Sequence, residues 1–523
     1  MNYTEKAKSL SVKDVANLLA ERDRLIDSVA SFKSQLAWLN QQFFGRKSEK
    51  QIEDNPHQLD LFFEEKQRAI EAAKANQKDE ESVSIPAHNR KKKNLKDAVD
   101  DSGLRFDSSV PVKEIHIFPA ELKSHPDEYE IIGEKTVCRI AQRPASYVVL
   151  KYIMTVVKSK QTQKIKYSPA PTNIIEKSYA DVSFLAGLLV DKFECHLPLY
   201  RQHQRLTRAG ILLSRSTLSN SVFKAAVLLK PIYHALLKSV LMSRILAIDE
   251  TPIKAGRKKK GTMKTGYFWP MYGDQDEIVF HFASSRATQV IHTLLEGFQG
   301  VLLTDGYTAY EKYAKKHRGD VVHAQCWAHS RRCFIKSGKM APDEMKQALA
   351  YIGGLYQIEK DLRENACDHA TIRLRRKNES LAIVNQFFTW VREQRHREDL
   401  INSNPLSKAL KYVSKREQSL REFIENPEIQ IDTNHLERGL RPIPMGKKAW
   451  LFCWTEVGAE HVGIIQSLIE TCKLHDVHPY EYLVDVLQRI SSHPASQVDD
   501  LTPRHWKKLF SDSPLKSDLE KDF

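Results

Sequence analysis

The chain has 523 residues, 41% of them hydrophobic, which is more than one core usually serves, so several domains are expected. Lys and Arg outnumber Asp and Glu by 80 to 66, a net charge of +14 that favours a polyanionic partner and makes nucleic acid the leading class. The longest apolar stretch, near Phe184 to Val190, falls far short of the roughly 20 residues of a membrane span, and no secretory signal opens the chain, so the expectation is a cytoplasmic protein with no membrane partner.

Near the N-terminus Val15, Leu18, Arg22, Leu25, Val29, Phe32, Leu36, Leu39 and Phe43 alternate steps of three and four, the seam of a coiled coil. Residues 1–50 are therefore expected to join copies into a homodimer or higher oligomer, the alternative being one amphipathic helix packed on the rest of the chain. A basic stop, Gly45 to Lys50, ends the pattern. Residues 51–109 read as a charged linker, since Gln77 to Ser102 lacks the apolar density to fold alone. Residues 110–170 alternate short β-rich runs with Pro and Gly and predict a small β module. From 171 to 243 the pattern is helical. Leu197 to Arg201 opens one helix, Ala209-Gly210 breaks it, and Ser214 to Ser219 starts another with Arg215 at its head. That is either a helix-turn-helix DNA reader or an ordinary helical hairpin.

An α/β pattern follows over residues 244–341 and 431–478. The run Ile245 to Ile248 ends in Asp249, short strands are predicted at Tyr267 to Tyr272 and Ile278 to Phe282, a helix covers Val290 to Phe298, and Val301 to Leu303 leads to Asp305. Residues 342–430 are charged and helical, an insertion between the two parts, and residues 479–523 supply a C-terminal helix and tail.

Asp249 and Asp305 each follow an apolar run, so each carboxylate is expected at the C-terminal end of a strand, where open α/β sheets place ligands. If the strands are neighbours, the two carboxylates converge on a hard cation such as Mg²⁺ or Mn²⁺. The ordinary alternative for a strand-end Asp is a turn residue. Asn434-x-x-Glu437 reads by itself as an N-terminal capping pair. Beside it Arg438 and Arg441 share a helical face suited to phosphates. The seven cysteines Cys138, Cys195, Cys326, Cys333, Cys367, Cys453 and Cys472 are odd in number and scattered, which is no disulfide framework. His323, Cys326, His329 and Cys333 have spacings that admit zinc, but a strand leading into a helix does not aim all four inward, so no structural zinc is expected.

Several words along the chain resemble one family. Asp249-Glu250-Thr251, Thr304-Asp305-Gly306-Tyr307, Cys326-Trp327-Ala328-His329-Ser330-Arg331-Arg332, Asn434 to Pro442 and Lys447-Lys448-Ala449-Trp450-Leu451-Phe452 look like the insertion sequence sixty-six family of bacterial DDE transposases. Phe43 to Lys50 and Leu197 to Leu218 are similar to it too. The resemblance implies a ribonuclease-H-like catalytic domain, with Asp249, Asp305 and Glu437 as a catalytic triad holding Mg²⁺ or Mn²⁺. It implies that Arg331, Arg332, Arg438, Arg441, Lys447, Lys448 and Arg215 face DNA, and that His329 and Trp327 lie near the active centre. The partners implied are the element's terminal inverted repeats, target DNA and small accessory proteins of the same element. Members commonly carry a Cys-rich zinc-binding module where this chain has only Cys138, so the β module is expected to be a degenerate form that folds without metal. Separately, Gln58-Leu59-Asp60-Leu61-Phe62 resembles the peptide by which bacterial proteins dock on the replication sliding clamp, the alternative being a helix that packs Leu59, Leu61 and Phe62 on the protein itself.

Overall fold

The computed structural model describes residues 11–44, 104–106, 108, 110–143, 146–176 and 178–521. The basic stop at 45–50, most of the predicted linker and the Gln58 to Phe62 peptide lie outside the described residues. The chain divides into two units, residues 1–96 and 97–523.

In the first unit one helix spans Val12–Phe44. It starts with a reciprocal cap: Asp14 donates its N–H to Ser11 Oγ at 3.2 Å, and Ser11 donates its N–H to Asp14 Oδ2 at 3.1 Å. Val15, Leu18, Leu25 and Val29 of the predicted seam are exposed.

The second unit opens with the short strand β1 (Arg105–Phe106). A sheet follows from β2 (Val112–Ile117), β3 (Tyr129–Arg143), β4 (Ser146–Ser159) and β5 (Ile165–Tyr167), in the order β2-β4-β3 with β5 also on β4. This sheet lies within residues 110–170. Cys138 and Ile140 on β3 and Val149 on β4 join the main core, which continues into the helix Val182–Phe193. On another side Leu150 and Tyr152 cluster with Leu519, and the Tyr152 hydroxyl donates to Asp518 Oδ2 at 2.8 Å, so the C-terminal tail is docked on the sheet.

Next, β6 (Ile211–Leu212) pairs with β1 between the helices Leu199–Arg208 and Arg215–Leu241. Gly210 makes the break at φ +85°, a conformation that favours glycine, and Ser214 caps the second helix by accepting from the N–H of Thr217 at 3.1 Å.

The large sheet contains β7 (Ile245–Ile248), β8 (Thr251–Lys259), β9 (Thr262–Tyr272), β10 (Ile278–Ala283), β11 (Gly300–Thr304) and β12 (Val321–Gln325). Its order is β10-β9-β7-β11-β12, with β8 hairpinned onto β9. Strands β7, β11 and β12 are mutually parallel, while β9 runs antiparallel to both its neighbours β7 and β10. β7 and β11, at the centre, are largely buried, which is why they read as apolar runs, while the edge strand β12 leaves Val322 exposed.

Helix Glu456–Leu474 closes the β10 edge. At Gly463 it comes so near that a Cβ would stand 2.3 Å from the Phe280 carbonyl oxygen. One and two turns later, Ser467 Oγ accepts from the Phe280 N–H at 2.8 Å and Thr471 Oγ1 from the Ile278 N–H at 3.2 Å. Small side chains every fourth residue thus satisfy an edge strand that would otherwise expose its ladder.

Helices Pro342–Glu364, His369–Arg375, Leu381–Arg395, Pro405–Ser414 and Glu417–Glu425 form the insertion. Its aromatic centre is Phe387, Phe388 and Trp390 packed with Phe334. Beside it Arg376 is buried and donates to both oxygens of Glu359, at 2.8 and 2.7 Å, and to the carbonyls of Phe423 and Asn426.

Candidate active site

Asp249 is the first residue after β7 and Asp305 the first after β11. The strands are parallel neighbours with Leu303 beside Ala247, so both carboxylates leave the same end of the sheet in matching register. Asp249 Oδ1 accepts from the Glu250 N–H at 2.7 Å, and Asp305 Oδ1 from the Tyr307 N–H at 2.8 Å. The turn role foreseen for a strand-end Asp is therefore present at Asp305, whose bond reaches two residues on, and not at Asp249, and each bond uses one oxygen. Burial pushes the Asp249 carboxyl up to about 7, with the negative charge of Asp305 as the next cause and those of Glu250 and Glu437 adding to it.

Glu437 lies 437 − 305 = 132 residues beyond Asp305 in the sequence, across the whole insertion. The chain returns beside the end of β12: Trp327 donates its N–H to the Ile431 carbonyl at 3.0 Å, and Thr433 donates its N–H to Cys326 Sγ at 3.3 Å. Helix Asn434–Leu440 starts there. Its cap comes from Asp432, whose Oδ1 accepts from the Asn434 N–H at 2.9 Å while its Oδ2 accepts from the Tyr356 hydroxyl at 2.8 Å.

The capping pair read from Asn434-x-x-Glu437 is accordingly not formed. Asp432 does that work, and the Glu437 carboxylate turns instead to Arg332, accepting two bonds from Nη2 at 2.7 and 2.5 Å. His329 Nε2 stands 3.9 Å from Glu437 and accepts from Arg332 at 3.2 Å, so that nitrogen carries no proton. Burial, followed by the Arg332 charge, lowers the His329 pKa and favours the neutral ring.

Among the described residues no three His, Cys, Asp or Glu side chains form a cluster that could hold a metal ion. Asp249, Asp305 and Glu437 share an electrostatic field. Their donors are carboxylate oxygens, the class that hard divalent cations take, and positive charge bound there would offset the Asp305 repulsion that, after burial, raises Asp249. On donor chemistry the residues fit Mg²⁺ or Mn²⁺.

A second layer of contacts carries no local signal in the sequence. The Glu250 side chain is buried and paired to Arg286, and it accepts from the Tyr310 hydroxyl at 2.6 Å. The Arg286 guanidinium lies 4.1 Å from the centre of the Tyr307 ring, while the Tyr307 hydroxyl donates to the Arg286 carbonyl. The turn after Asp305 is thereby locked to the end of β7. From the insertion, Arg416 donates to the Gly306 carbonyl at 2.7 Å, and a Cβ on Gly306 would stand 2.4 Å from the Tyr412 ring. Only glycine lets the insertion approach this turn so closely.

The other residues singled out have mixed settings. Arg438 and Lys448 are exposed, Arg331 and Arg441 are half-buried, and Lys447 donates to the Pro252 carbonyl at 3.3 Å. Arg215 is exposed, its guanidinium 5.8 Å from the Tyr200 ring. Trp327 is fully buried: its indole donates to the Leu420 carbonyl at 2.9 Å among Phe387, Phe388 and Phe423. It anchors the insertion rather than lining the carboxylate face, because an apolar indole gains more from the core than from a charged end of the sheet. His323 shares a bond with Thr304 Oγ1 at 2.9 Å, and burial holds its pKa down to about 4; burial raises the Cys326 thiol to about 11. With His329 turned to Arg332, the set His323, Cys326, His329 and Cys333 does not share a centre.

Residues 177–461, which include all three carboxylates, match the family described as Transposase IS66 family, and residues 467–504 match the IS66 C-terminal element. The chain belongs to the IS66 family of transposases. Residues 31–114 of this IS66-family chain also match a region described as Transposase C of IS166 homeodomain. Similar proteins from Sinorhizobium fredii include the uncharacterized protein y4jD, 31% identical over 363 residues, spanning 66% of this chain and 69% of that protein. The uncharacterized protein y4hP is 26% identical over 400 residues, spanning 72% of this chain and 71% of that protein. Membership implies DNA as partner, and no helix among the described residues is long and apolar enough to cross a membrane.

Proposed function

We propose that the chain cuts DNA at the ends of an insertion element and joins the freed 3′-hydroxyl to target DNA. In this reading Asp249, Asp305 and Glu437 hold Mg²⁺ or Mn²⁺ on a ribonuclease-H-like domain. The observation that carries it is the register of β7 and β11, which sends Asp249 and Asp305 off one sheet end, with Glu437 returned to the same field. The strand order, with one antiparallel pair added beside three parallel strands, supports the ribonuclease-H-like reading.

When bound, a divalent ion supplies Lewis-acid activation of the attacking oxygen and stabilisation of the leaving one. The chain's own residues set up the rest. The backbone bonds to Asp249 and Asp305 fix one oxygen of each and leave the second for a cation. Arg332 neutralises Glu437 and, being half-exposed, is able to exchange that carboxylate for a phosphate oxygen, a charge-assisted bond of similar strength. Neutral His329 keeps the guanidinium aimed by accepting its second N–H. Arg438, Arg441 and Lys448 extend the positive surface along which a DNA backbone would lie.

Asp249→Asn, Asp305→Asn and Glu437→Gln keep side-chain shape and remove charge, so each should lower strand cleavage by about a thousandfold or more. DNA binding should be retained, because it rests on dispersed phosphate contacts. The assay is cleavage of labelled terminal-repeat DNA with Mg²⁺ or Mn²⁺, beside a binding titration on the same DNA. Three variants that cut like the parent would end the triad assignment. One observation favours a second reading, a dimeric DNA-binding protein that no longer cuts: Glu437 is fully engaged by Arg332. A parent that never cuts, even with accessory proteins supplied, would favour it.

We also read the helix Val12–Phe44 as one strand of a coiled coil between two copies, since four of its seam residues are exposed. Leu18→Asp with Leu25→Asp should give monomers by light scattering, and an unchanged assembly would return the segment to a lone amphipathic helix.

A further inference from the structure

The loop Leu451 to Thr455 and the turn of the β8–β9 hairpin form a surface that the carboxylate site does not use. Across Thr251 to Gly266 the hairpin carries six basic residues, Lys254, Arg257, Lys258, Lys259, Lys260 and Lys264, and no acidic one. Arg257 and Lys258 to Lys260 are exposed and have no ion-pair partner among the described residues, whereas Lys264 pairs with Glu456 at 2.8 Å and Lys254 donates to Thr265 Oγ1 at 2.7 Å. Four adjacent uncompensated cations on a protruding hairpin attract a polyanion.

Against this hairpin lies an aromatic segment in an unusual conformation. Leu451 has φ +67° and ψ −52°, and the Phe452 N–H bonds back to the Trp450 carbonyl at 2.8 Å. That is a γ-turn of the rare, strained hand, at a bulky residue with no glycine's freedom. The strain is held by two backbone bonds to β8: Cys453 donates its N–H to the Lys254 carbonyl at 2.8 Å, and Gly256 donates its N–H to the Cys453 carbonyl at 3.1 Å. The outcome is that Leu451 and Trp454 are 63% and 69% exposed, with the Phe452 ring 5.1 Å from the Trp454 ring and roughly perpendicular to it. A fold seldom anchors a strained turn in order to leave an indole in water.

Both elements start at the carboxylates. β8 begins two residues after Asp249, and helix Pro442–Trp450, which leads into the loop, follows the helix that bears Glu437. From Asp249 to Lys254, where Cys453 is pinned, there are 254 − 249 = 5 residues. At an extended rise of about 3.4 Å per residue that is at most roughly 17 Å, the length of about five stacked nucleotides.

We propose that Trp454, backed by Phe452 and flanked by Leu451, is a stacking platform for an unpaired base of a DNA strand. The phosphates of that strand are gripped by Arg257 and Lys258 to Lys260, within about five nucleotides of the site of cleavage. The indole face supplies sequence-tolerant stacking and the hairpin supplies charge, the two ingredients of single-strand binding. For the enzyme this would hold the DNA end open beside the carboxylates. The proposal rests on the reading of the chain as a DNA-acting protein, but a binding test in EDTA does not involve the carboxylate set, so the two fail separately.

The experiment uses the full chain with labelled (dT)20 and a 20-base-pair duplex, both in EDTA. Trp454→Ala should weaken (dT)20 binding by about 5- to 100-fold, as expected for one lost stacking contact, and duplex binding by less than about twofold. Trp454→Phe should recover most of the loss. Arg257→Ala with Lys258→Ala and Lys259→Ala should weaken both DNAs and reduce the salt slope by about 2 to 3. Unchanged (dT)20 affinity for Trp454→Ala, or equal losses on both DNAs, would overturn the stacking role. A change in the assembly of Trp454→Ala without DNA, read by light scattering, would assign the surface to a second copy and overturn it as well. Because Trp454 is exposed, a melting curve matching the parent's should accompany each variant.

Discussion

The large sheet and the helical insertion fix the candidate site by different kinds of rule. On the sheet, position follows from the ladder: once β7 and β11 pair in parallel, the next residue of each strand can only lie at one end, and Asp249 and Asp305 go with it. The insertion has no such ladder. It holds the Asp305 turn through Arg416 and Tyr412 and sets the Glu437 helix through the Tyr356 bond to Asp432. Two carboxylates are thus placed by topology and the third by side-chain packing. The difference teaches where the site is vulnerable: a change deep in the insertion should move Glu437 without touching any carboxylate, whereas the sheet end should resist all but changes to its own strands.

The largest effect expected from such a change is at Arg376. Its pair with Glu359 is buried on both sides, and removing one partner leaves an uncompensated charge, which costs about 3–5 kcal/mol. Arg376→Ala should lower the urea midpoint sharply. Hydrogen exchange should speed up in residues 342–425 while β7, β9 and β11 stay protected, if the insertion is a cooperative block of its own. Exchange that rises equally in both regions would break the comparison and make sheet and insertion one unit. Replacing both partners by apolar residues, Glu359→Met with Arg376→Leu, should cost much less than the single change, since no orphan charge remains.

The same contrast governs what the sequence reveals. Ile245 to Ile248 and Val301 to Leu303 are apolar runs ended by an acid, so Asp249 and Asp305 stand out locally. That the two strands are neighbours is a pairing choice no local pattern encodes. The helix break at Gly210 and the cap at Ser214 are legible because turn and cap chemistry is local. The second half of strand β8 is not, since Arg257-Lys258-Lys259 offers no apolar alternation; only Ile253 and Ala255, near its start, turn into the core, and the rest follows the ladder with β9. Glu437 is ambiguous in sequence for a physical reason: an acid three residues into a helix suits a cap as well as a ligand. The neighbouring Asp432 and the distant Arg332 together decide which way it turns. Arg286 and Tyr310 carry no signal, and Glu250 only that of the word it shares with Asp249, because their partnership spans 60 residues and each alone is an ordinary polar residue. Trp327 was legible as a family word but not as core, since a word conveys neighbours in sequence and not burial.

The smallest change that still separates the two regions is the loss of one hydroxyl. Tyr356, on the first helix of the insertion, donates to Asp432 Oδ2 at 2.8 Å, and the other oxygen of Asp432 caps the helix of Glu437 at 2.9 Å. Burial, with the Asp432 charge next, pushes the Tyr356 phenol well above its ordinary value, so it stays protonated and remains a donor. Tyr356→Phe keeps the ring and removes one hydrogen bond to a carboxylate, a stability cost of about 1–3 kcal/mol. If packing sets the third carboxylate, strand cleavage should fall by about tenfold or more, because a shift on the order of 1 Å in a positioned group is enough for that. DNA affinity should not change, since no phosphate contact is lost. Asp432→Asn keeps one oxygen for the cap but puts an NH2 where Oδ2 accepts from Tyr356 and from the Asn434 side chain, so it should lower cleavage at least as much as Tyr356→Phe. Cleavage by Tyr356→Phe at the parental rate, with the expected loss of stability, would mean that the helix Asn434–Leu440 is held by its own neighbours and that the insertion braces only the Asp305 turn.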